Sequence, residues 1–579
     1  MRWQSGVRIV AATLVAGVLG LPGSAPAAPA AGSAPGKTAQ ARPNVVMIMT
    51  DDQPAKYLSV MPNTRRLLGE QGTTFSDMTV TYSLCCPSRA TYLTGQTAHN
   101  HGVLDNKLPA GGYEKLRGGN TLPVWLTNSG YHTAHVGKYL NGYGKDNPTE
   151  VPPGWGEWHA LVGGSTYEMY GYQINHNGNL RRYGQWDVED PQFYQTDVLR
   201  KISLDYVGRR APADKPFFLS VAPLASHVET QRVRDKYDFR TPRPAPRHKF
   251  AFRDTPLPKP DSFNEPDVSD KPAHIRNLSR FDDADLHKMT RRYRAQLESL
   301  LAVDEMVGAI VNKLRDTGEL ANTVIMFTSD NGYLTGHHRI REGKIHPYEP
   351  SLRVPLLVRG PGFPAGRTIG QSVTNLDWAP TILDLANTPP GLTQDGRSLL
   401  QLLANPTSGE RRHLLIETGP KGTQRWYRGV RTPRYTYVKH STGELELYDR
   451  QEDPQQLRSR HNDPAYQPVR DRLAQRLREL HDCSGRACWG IPAATETEPV
   501  PLGEKPGAQG GGKAAAGATP SANSAAGGTE SGAESDAMTP TSDSSLPVTG
   551  LSVGGTLLAG MALVGAGLGL RSVRRRRRA

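Results

Sequence analysis

Two short apolar runs, far apart in the chain, each end in acidic side chains. Val45-Val46-Met47-Ile48-Met49-Thr50 runs into Asp51-Asp52, and Val324 to Phe327, then Thr328-Ser329, runs into Asp330-Asn331-Gly332. Unbroken apolar runs of this length are the pattern of strands buried on both faces, as in a parallel sheet covered by helices. Phe217 to Val221 and Val354 to Val358 are further strand candidates. Leu297, Leu300, Leu301, Val307, Ile310, Val311 and Leu314 fall at helical spacing, which predicts a long amphipathic helix over about 289–316. Thr381 to Leu385 falls in a second helix. Strands alternating with helices argue for an α/β sandwich. In open α/β sheets, ligands collect at the carboxyl ends of strands. Three carboxylates and an amide oxygen gathered there would repel one another unless a cation sat among them. Hard oxygen ligands favour calcium or magnesium over zinc. Either acidic pair alone also suits an ordinary turn or helix cap.

Composition sets limits around that sheet. The chain has 579 residues, 37% hydrophobic and 22% charged, which suits one large soluble domain, a smaller one and flexible ends. The globular part begins near Pro43 and ends near Gly490, after an Ala-, Gly- and Pro-rich flexible segment at 31–42. From about residue 410 the texture changes. Tyr435 to Val438 and Glu444 to Tyr448 read as a hairpin, closed by a helix near 465–481. The expected division is a main domain over 43–405 and a small C-terminal α+β subdomain over 406–490. Residues 491–545 are rich in Gly, Ala, Ser, Thr and Pro, bury too little apolar surface to fold, and read as a spacer.

Both ends carry targeting patterns. Arg2 and Arg8 precede an apolar stretch from Ile9 to Leu21, and Ala25-Pro26-Ala27 or Ala28-Pro29-Ala30 offers a cleavage site, so 1–30 read as a signal peptide. That stretch is too short to favour a membrane anchor. At the other end, Leu546-Pro547-Val548-Thr549-Gly550 precedes an apolar stretch from Leu551 to Leu570 and then Arg574 to Arg578. Length alone allows that stretch to span a membrane as a transmembrane helix. The order of pentapeptide, apolar span and basic tail over 546–579 resembles the sorting signal of Gram-positive surface proteins. The resemblance implies that a sortase cuts between Thr549 and Gly550 and joins Thr549 to peptidoglycan, anchoring the protein to the cell wall. Arg2, Arg8, Arg571 and Arg574 to Arg578 lie in these end segments; setting aside these eight arginines lowers the formal net charge from +13 to +5. The body is only mildly basic and carries no aromatic-basic array, so nucleic acid is not an expected partner.

The segment Cys85-Cys86-Pro87-Ser88-Arg89-Ala90-Thr91-Tyr92-Leu93-Thr94-Gly95 resembles the signature of the formylglycine-dependent sulfatases. That signature is Cys, any residue, Pro, Ser, Arg, three residues, then Leu-Thr-Gly, and every fixed position matches. The likeness extends from Pro43 to about Cys488. Asn44 to Asp52 looks like the family's opening metal strand, and Gly130 to Ala134 with Gly137 to Tyr143 like its next block. Thr328 to Tyr333 and Val354 to Gly362 look like the second metal loop and the strand after it. Lys138-Tyr139-Leu140-Asn141, the Cys-Cys pair and Thr94 to Asn106 are most similar to glucosamine-6-sulfatases and the related heparan endosulfatases.

The resemblance implies an alkaline-phosphatase-like fold, with a central mixed sheet sandwiched by helices. It implies that a formylglycine-generating enzyme oxidises Cys85 to an aldehyde. One hydroxyl of the aldehyde's hydrate attacks sulfur, and the other then expels sulfate. Asp51, Asp52, Asp330 and Asn331, with residue 85, are implied to bind one calcium ion in preference to magnesium. Arg89, four residues along the helix from Cys85, is implied to steady the diol, and the helix N-terminus to favour the anion. Lys138 and Lys344 are implied to grip sulfate oxygens, and His227 to protonate the leaving oxygen. The implied substrate is a sulfated saccharide or aryl sulfate, with 6-sulfated N-acetylglucosamine as the leading candidate.

Departures from the family pattern bear on the sugar. Leu140 stands where many members have His, and Asn141 is offered instead as a substrate contact. Leu224 and Leu334 replace other family histidines. His99 and His101 are candidates for substrate contact with a structural role equally open, and His337 and His338 stand in the same position. Cys85 must stay free for modification, whereas Cys483 and Cys488 bracket a short loop and, in an exported protein, read as a disulfide. Two other readings stay open. One is phosphonate or phosphate ester hydrolysis by the same diol and metal. The other is a wall-displayed carbohydrate-binding protein with a catalytically dead sulfatase fold.

Overall fold

Alternate side chains of the first strand feed two different cores, and this layers the molecule. The computed structural model describes residues 42–211, 215–229, 241–404, 412–419, 426–490 and 500–502. In β1 (Asn44–Thr50), Val45, Met47 and Met49 enter one hydrophobic cluster while Val46 and Ile48 enter another, as the two-residue period of a strand requires. The helix Asp283–Asp316 covers the second cluster through Leu297, Leu300, Val303, Val307 and Ile310. The helices Cys85–Thr94 and Trp378–Ala386 cover the first through Ala90, Leu93, Trp378 and Ile382. The sheet is thus buried on both faces, which accounts for its unbroken apolar runs.

The other strands are β2 (Thr73–Phe75), β3 (Met78–Thr79), β4 (His132–Gly137), β5 (Glu157–Leu161), β6 (Tyr172–His176), β7 (Asn179–Tyr183), β8 (Phe217–Ala222), β9 (Thr323–Ser329), β10 (Leu356–Arg359), β11 (Arg367–Ile369), β12 (Val373–Thr374), β13 (Leu414–Thr418), β14 (Tyr427–Arg431), β15 (Tyr435–His440) and β16 (Leu445–Asp449). Ten of the strands form one mixed sheet in the order β11-β2-β10-β9-β1-β8-β4-β5-β6-β7. Within it β9, β1, β8, β4 and β5 run parallel, so their carboxyl ends lie along one edge. The expected α/β sandwich is what forms. Val354 to Val358 does not add to the parallel set: β10 starts at Leu356 and pairs antiparallel with β9, Leu356 opposite Thr328. The chain between them stays at the carboxyl end of β9 and never crosses the sheet. The long helix begins six residues before its predicted start, because Asp282 caps it. The Asp285 amide donates to Asp282 Oδ1 at 2.8 Å, which lets a polar first turn join the helix.

A second sheet of four antiparallel strands runs β13-β14-β15-β16, and the helix Gln467–Leu480 packs on it through Val469, Leu473, Leu477 and Leu480. The predicted hairpin and closing helix are β15, β16 and this helix. The division expected at 405/406 falls in residues that are not described. Outside the described residues too are the signal peptide expected at 1–30 and the sorting signal at 546–579 with Thr549 and Gly550. Within the expected spacer, residues 500–502 are described, and the Leu502 amide donates to the Ala465 carbonyl at 2.7 Å. Among the described residues no helix is long and apolar enough to cross a membrane.

Candidate active site

Four adjacent parallel strands deliver polar side chains to one place. Asp51 and Asp52 follow β1, Asp330 and Asn331 follow β9, Lys138 follows β4, and His227 lies in the turn after β8. Backbone bonds stitch these turns together. The Asp51 amide donates to the Ala225 carbonyl at 3.2 Å, the Ser226 amide to the Asp51 carbonyl at 2.9 Å, and the Asp330 amide to the Thr50 carbonyl at 3.1 Å. Asp52 is buried with φ of 62°, a left-handed conformation that a non-glycine residue adopts only where its surroundings hold it. Cys85 is the first residue of the helix Cys85–Thr94, whose next amide, that of Cys86, donates to Asn106 Oδ1 at 2.9 Å.

Cys85 Sγ lies 3.6 Å from Asp51 Oδ1 and accepts from Lys344 Nζ at 2.9 Å. Lys344 also donates to Asp52, and Lys138 to Asp51. Arg89 Nε donates to Asp330 Oδ2 at 2.8 Å, and its terminal nitrogens reach Asp51 Oδ2 at 3.4 Å and the Lys138 carbonyl at 2.7 Å. Three buried carboxylates therefore face three cations. Burial raises the Asp51 pKa, but Lys138, His227, Arg89 and Lys344 outweigh it and hold the carboxyl well below the usual range. Asp330 is instead pushed up by burial and by Asp51. Burial and Asp51 push the Cys85 thiol up to about 11. An unmodified Cys85 is thus a neutral thiol at neutral pH and a poor nucleophile.

The donor set suits a hard divalent cation. Asp51, Asp52, Cys85 and His227 offer ligand atoms within 4.8 Å of one another. Asn331 Nδ2 donates to Asp52 Oδ1 at 2.5 Å, while its Oδ1 is buried without a hydrogen-bond partner. A buried amide oxygen left unpaired beside carboxylates is explained by a ligand absent from the protein chain itself.

Other sequence-derived candidates are held by partners of their own. Arg89 braces Asp330 and Asp51 and donates to a carbonyl, within electrostatic reach of Cys85. His99 and His101 turn inward. His99 Nδ1 faces Glu417 at 3.2 Å and its Nε2 the Cys483 carbonyl at 2.9 Å, tying the first domain to the second sheet. His101 Nε2 meets Thr91 Oγ1 at 3.1 Å, its Nδ1 accepts from the Val103 amide, and burial lowers its pKa to about 4. His338 Nδ1 pairs with Glu265 at 2.6 Å, and His337 is buried. Asn141 meets Cys86: its amide donates to Cys86 Sγ at 3.0 Å. Cys483 and Cys488 form a disulfide, and Cys85 and Cys86 are free. Tyr167, which the sequence reading omits, closes one side. Its ring lies 4.9 Å from Lys138 Nζ and 5.0 Å from the His227 ring. The available signal was β5, whose carboxyl end shares the site edge.

The site can therefore hold a divalent cation and an anionic ester beside residue 85, with an imidazole opposite. The family model described as Sulfatase matches residues 43–388, and that described as N-sulphoglucosamine sulphohydrolase, C-terminal, matches residues 336–483. An arylsulfatase of Volvox carteri is 35% identical over 509 residues, covering 78% of this chain and 77% of the relative. A human N-acetylglucosamine-6-sulfatase is 38% identical over 373 residues, covering 62% of this chain and 64% of the relative. Among solved structures, BT4656 in complex with its substrate D-glucosamine-2-N,6-O-disulfate has a TM-score of 0.63 at 24% identity, covering 76% of this chain and 97% of that one. The chain belongs to the sulfatase family and is a sulfatase.

Proposed function

We propose that the chain removes sulfate from a sulfated glucosamine-type saccharide, with 6-sulfated N-acetylglucosamine as the substrate group. The proposal takes Cys85 as converted to formylglycine and one calcium ion as held by Asp51, Asp52, Asp330 and Asn331. The observation that carries this reading is the cluster of Asp51, Asp52 and Cys85, with the Asp330 and Asn331 side chains bonded to Asp52 and Asn331 Oδ1 buried and unpaired. Members of the family generally use a formylglycine and a divalent metal ion. Relatives named N-acetylglucosamine-6-sulfatase and the neighbour solved with a sulfated glucosamine support the saccharide class.

When bound, the cation supplies positive charge that acidifies a coordinated oxygen and offsets charge on sulfate oxygens. The hydrated aldehyde supplies the attacking oxygen and a second hydroxyl through which sulfate can leave. The chain's own groups do the rest. Lys138, paired with Asp51, and Lys344, which bridges Asp52 and Cys85, bind the sulfate oxygens. Arg89 holds Asp51 and Asp330 in place as ligands. His227 Nδ1 donates to the Val228 carbonyl at 2.7 Å, so the proton given to the ester oxygen as the S–O bond breaks is the second proton of the imidazolium, carried on Nε2. The terminal signals support an exported enzyme joined to the wall of a Gram-positive cell through Thr549.

Peptide mass analysis of the protein from its own host tests the nucleophile directly. An aldehyde at position 85 is expected, and Cys85→Ala is expected to lower kcat/KM by about 10⁴-fold or more. Thiol alone at residue 85 would favour a wall-displayed binding protein. Paired sulfate and phosphonate esters test the reaction: faster turnover of the phosphonate would replace the sulfatase reading.

A further inference from the structure

The His227 imidazole has few restraints for a group that must aim a proton. Its Nδ1 bonds the carbonyl of its own neighbour, Val228, and Nε2 stands 3.6 Å from Asp52 Oδ2, beyond a hydrogen bond. The Nδ1 bond fixes the tautomer and one edge of the ring, and what packs on the ring's face completes its orientation. The face of the imidazole meets Tyr167, ring centroids 5.0 Å apart and planes inclined at 45°. Tyr167 ends the turn Gly163–Tyr167 beyond β5 and is partly exposed, whereas Tyr170 and Tyr172 just after it are fully buried. A ring that only filled the core would be buried like them.

The two segments are fastened together a short way beyond the ring pair. The Met169 amide donates to Glu229 Oε1 at 2.6 Å, and Glu229 Oε2 accepts from Arg243 at 2.9 Å. Met169 lies two residues past Tyr167, and Glu229 two past His227, so this bond holds both rings in register. On its other side, the Tyr167 hydroxyl accepts from Asn141 Nδ2 at 2.5 Å. Asn141 is held in turn by Cys86, next to the reacting residue, with Cys86 Sγ 3.4 Å from Asn141 Oδ1.

We infer that Tyr167 is a positioning residue of this site. Its ring sets the plane of His227 for proton delivery to the leaving alcohol, and its hydroxyl holds the Asn141 amide at the sugar-binding edge. The inference rests on the proposed role of His227: the Nε2 proton of the imidazolium passes to the bridging ester oxygen, which takes the S–O bonding pair and leaves as a neutral alcohol, and His227 is left as neutral imidazole protonated on Nδ1. That step matters for a sugar alcohol, a poor leaving group. It matters little for 4-nitrophenolate, which departs unprotonated.

The test compares N-acetylglucosamine 6-sulfate with 4-nitrophenyl sulfate on the full, calcium-loaded, formylglycine-bearing protein. Tyr167→Met keeps an apolar side chain but removes both the aromatic face and the hydroxyl, so the ring's share is read against Tyr167→Phe. The Met variant is expected to lower kcat/KM on the sugar ester by about tenfold or more and to change the nitrophenyl ester by less than about threefold. Tyr167→Leu is read the same way should the Met variant not fold. Tyr167→Phe keeps the ring; its kcat should stay near wild type on both esters while KM rises for the sugar alone. His227→Ala, with bound calcium measured, is the control and should be the most selective against the sugar ester. If His227→Ala slows both esters equally or loses its calcium, the acid assignment fails, and the ring's role with it. If His227→Ala is selective while the Met variant slows both esters alike, or neither, the acid assignment stands and the ring's role is overturned. An unchanged sugar KM in Tyr167→Phe overturns the role of the hydroxyl.

Discussion

Asp51 faces Lys138, Arg89 and Lys344 at once, and burial makes that company necessary. A carboxylate removed from water is costly unless paired, and removing one partner of a buried pair costs far more than the pair contributes. Arg89 is the partner shared between Asp51 and Asp330. Arg89→Met is therefore expected to lose about 3–5 kcal/mol of stability in calcium-free buffer, read by denaturant unfolding. Because Arg89 orients two proposed ligands, calcium titration of the same variant should give a Kd about 10–100-fold weaker than wild type. A variant that unfolds like wild type and binds calcium equally well would remove Arg89 from the site's support.

At the scale of an element, β4 ends where it must hand Lys138 to the site. Gly137 has a φ of +114°, and a Cβ there would stand 2.2 Å from the Ala222 carbonyl oxygen of β8. That oxygen also accepts from the Lys138 amide at 2.8 Å. Backbone cannot yield there without moving the lysine. Gly137→Ala is expected to cut kcat/KM by about 10²-fold through misplacement of Lys138. Gly318 follows the long helix with φ of +78° and nothing within 4 Å of its would-be Cβ. Gly318→Ala should therefore cost stability alone, about 1 kcal/mol, with steady-state kinetics unchanged.

Over the whole molecule, the two sheets meet through buried ion pairs. Arg431 of β14 donates to Glu349 at 2.8 Å and to Asp77 at 2.7 Å. Burial raises the Glu349 pKa, but Arg431 and Arg450 outweigh it and hold it at about 2; in Glu446, His440 and Tyr448 outweigh burial to the same value. Both folded values lie below the unfolded one, about 4.3. Their stabilisation is thus fully present above about pH 5 and drains away as pH falls toward 2, about 3 kcal/mol for Glu349. Glu349→Gln should be less stable at pH 7 and lose less between pH 5 and pH 3, as thermal melts across that range would show. A parallel fall in the two proteins would refute the coupling. The proposed wall anchoring predicts that substituting Thr549 or Gly550 moves the enzyme from muramidase-released wall fractions to membrane or medium, with activity per molecule unchanged.

Local pattern by itself determines β1, β9 and the long helix, because an apolar run and a 3.6-residue stripe are written in consecutive residues. The same holds for Asp51, Asp52, Asp330 and Asn331, whose place at strand ends follows from those runs, and for Cys85, which sits in a contiguous motif. The directions and neighbours of strands are not local. That β10 reverses against β9, that β5 lies beside β4, and that β13 and β14 complete the second sheet depend on pairing between separate segments, which no consecutive run of residues records. Only the tertiary structure therefore brings Tyr167 against His227, bonds Arg89 to two carboxylates, and gives His99 and His101 partners within the fold. A side chain's role is set by what packs against it, and sheet order decides which loops share an edge.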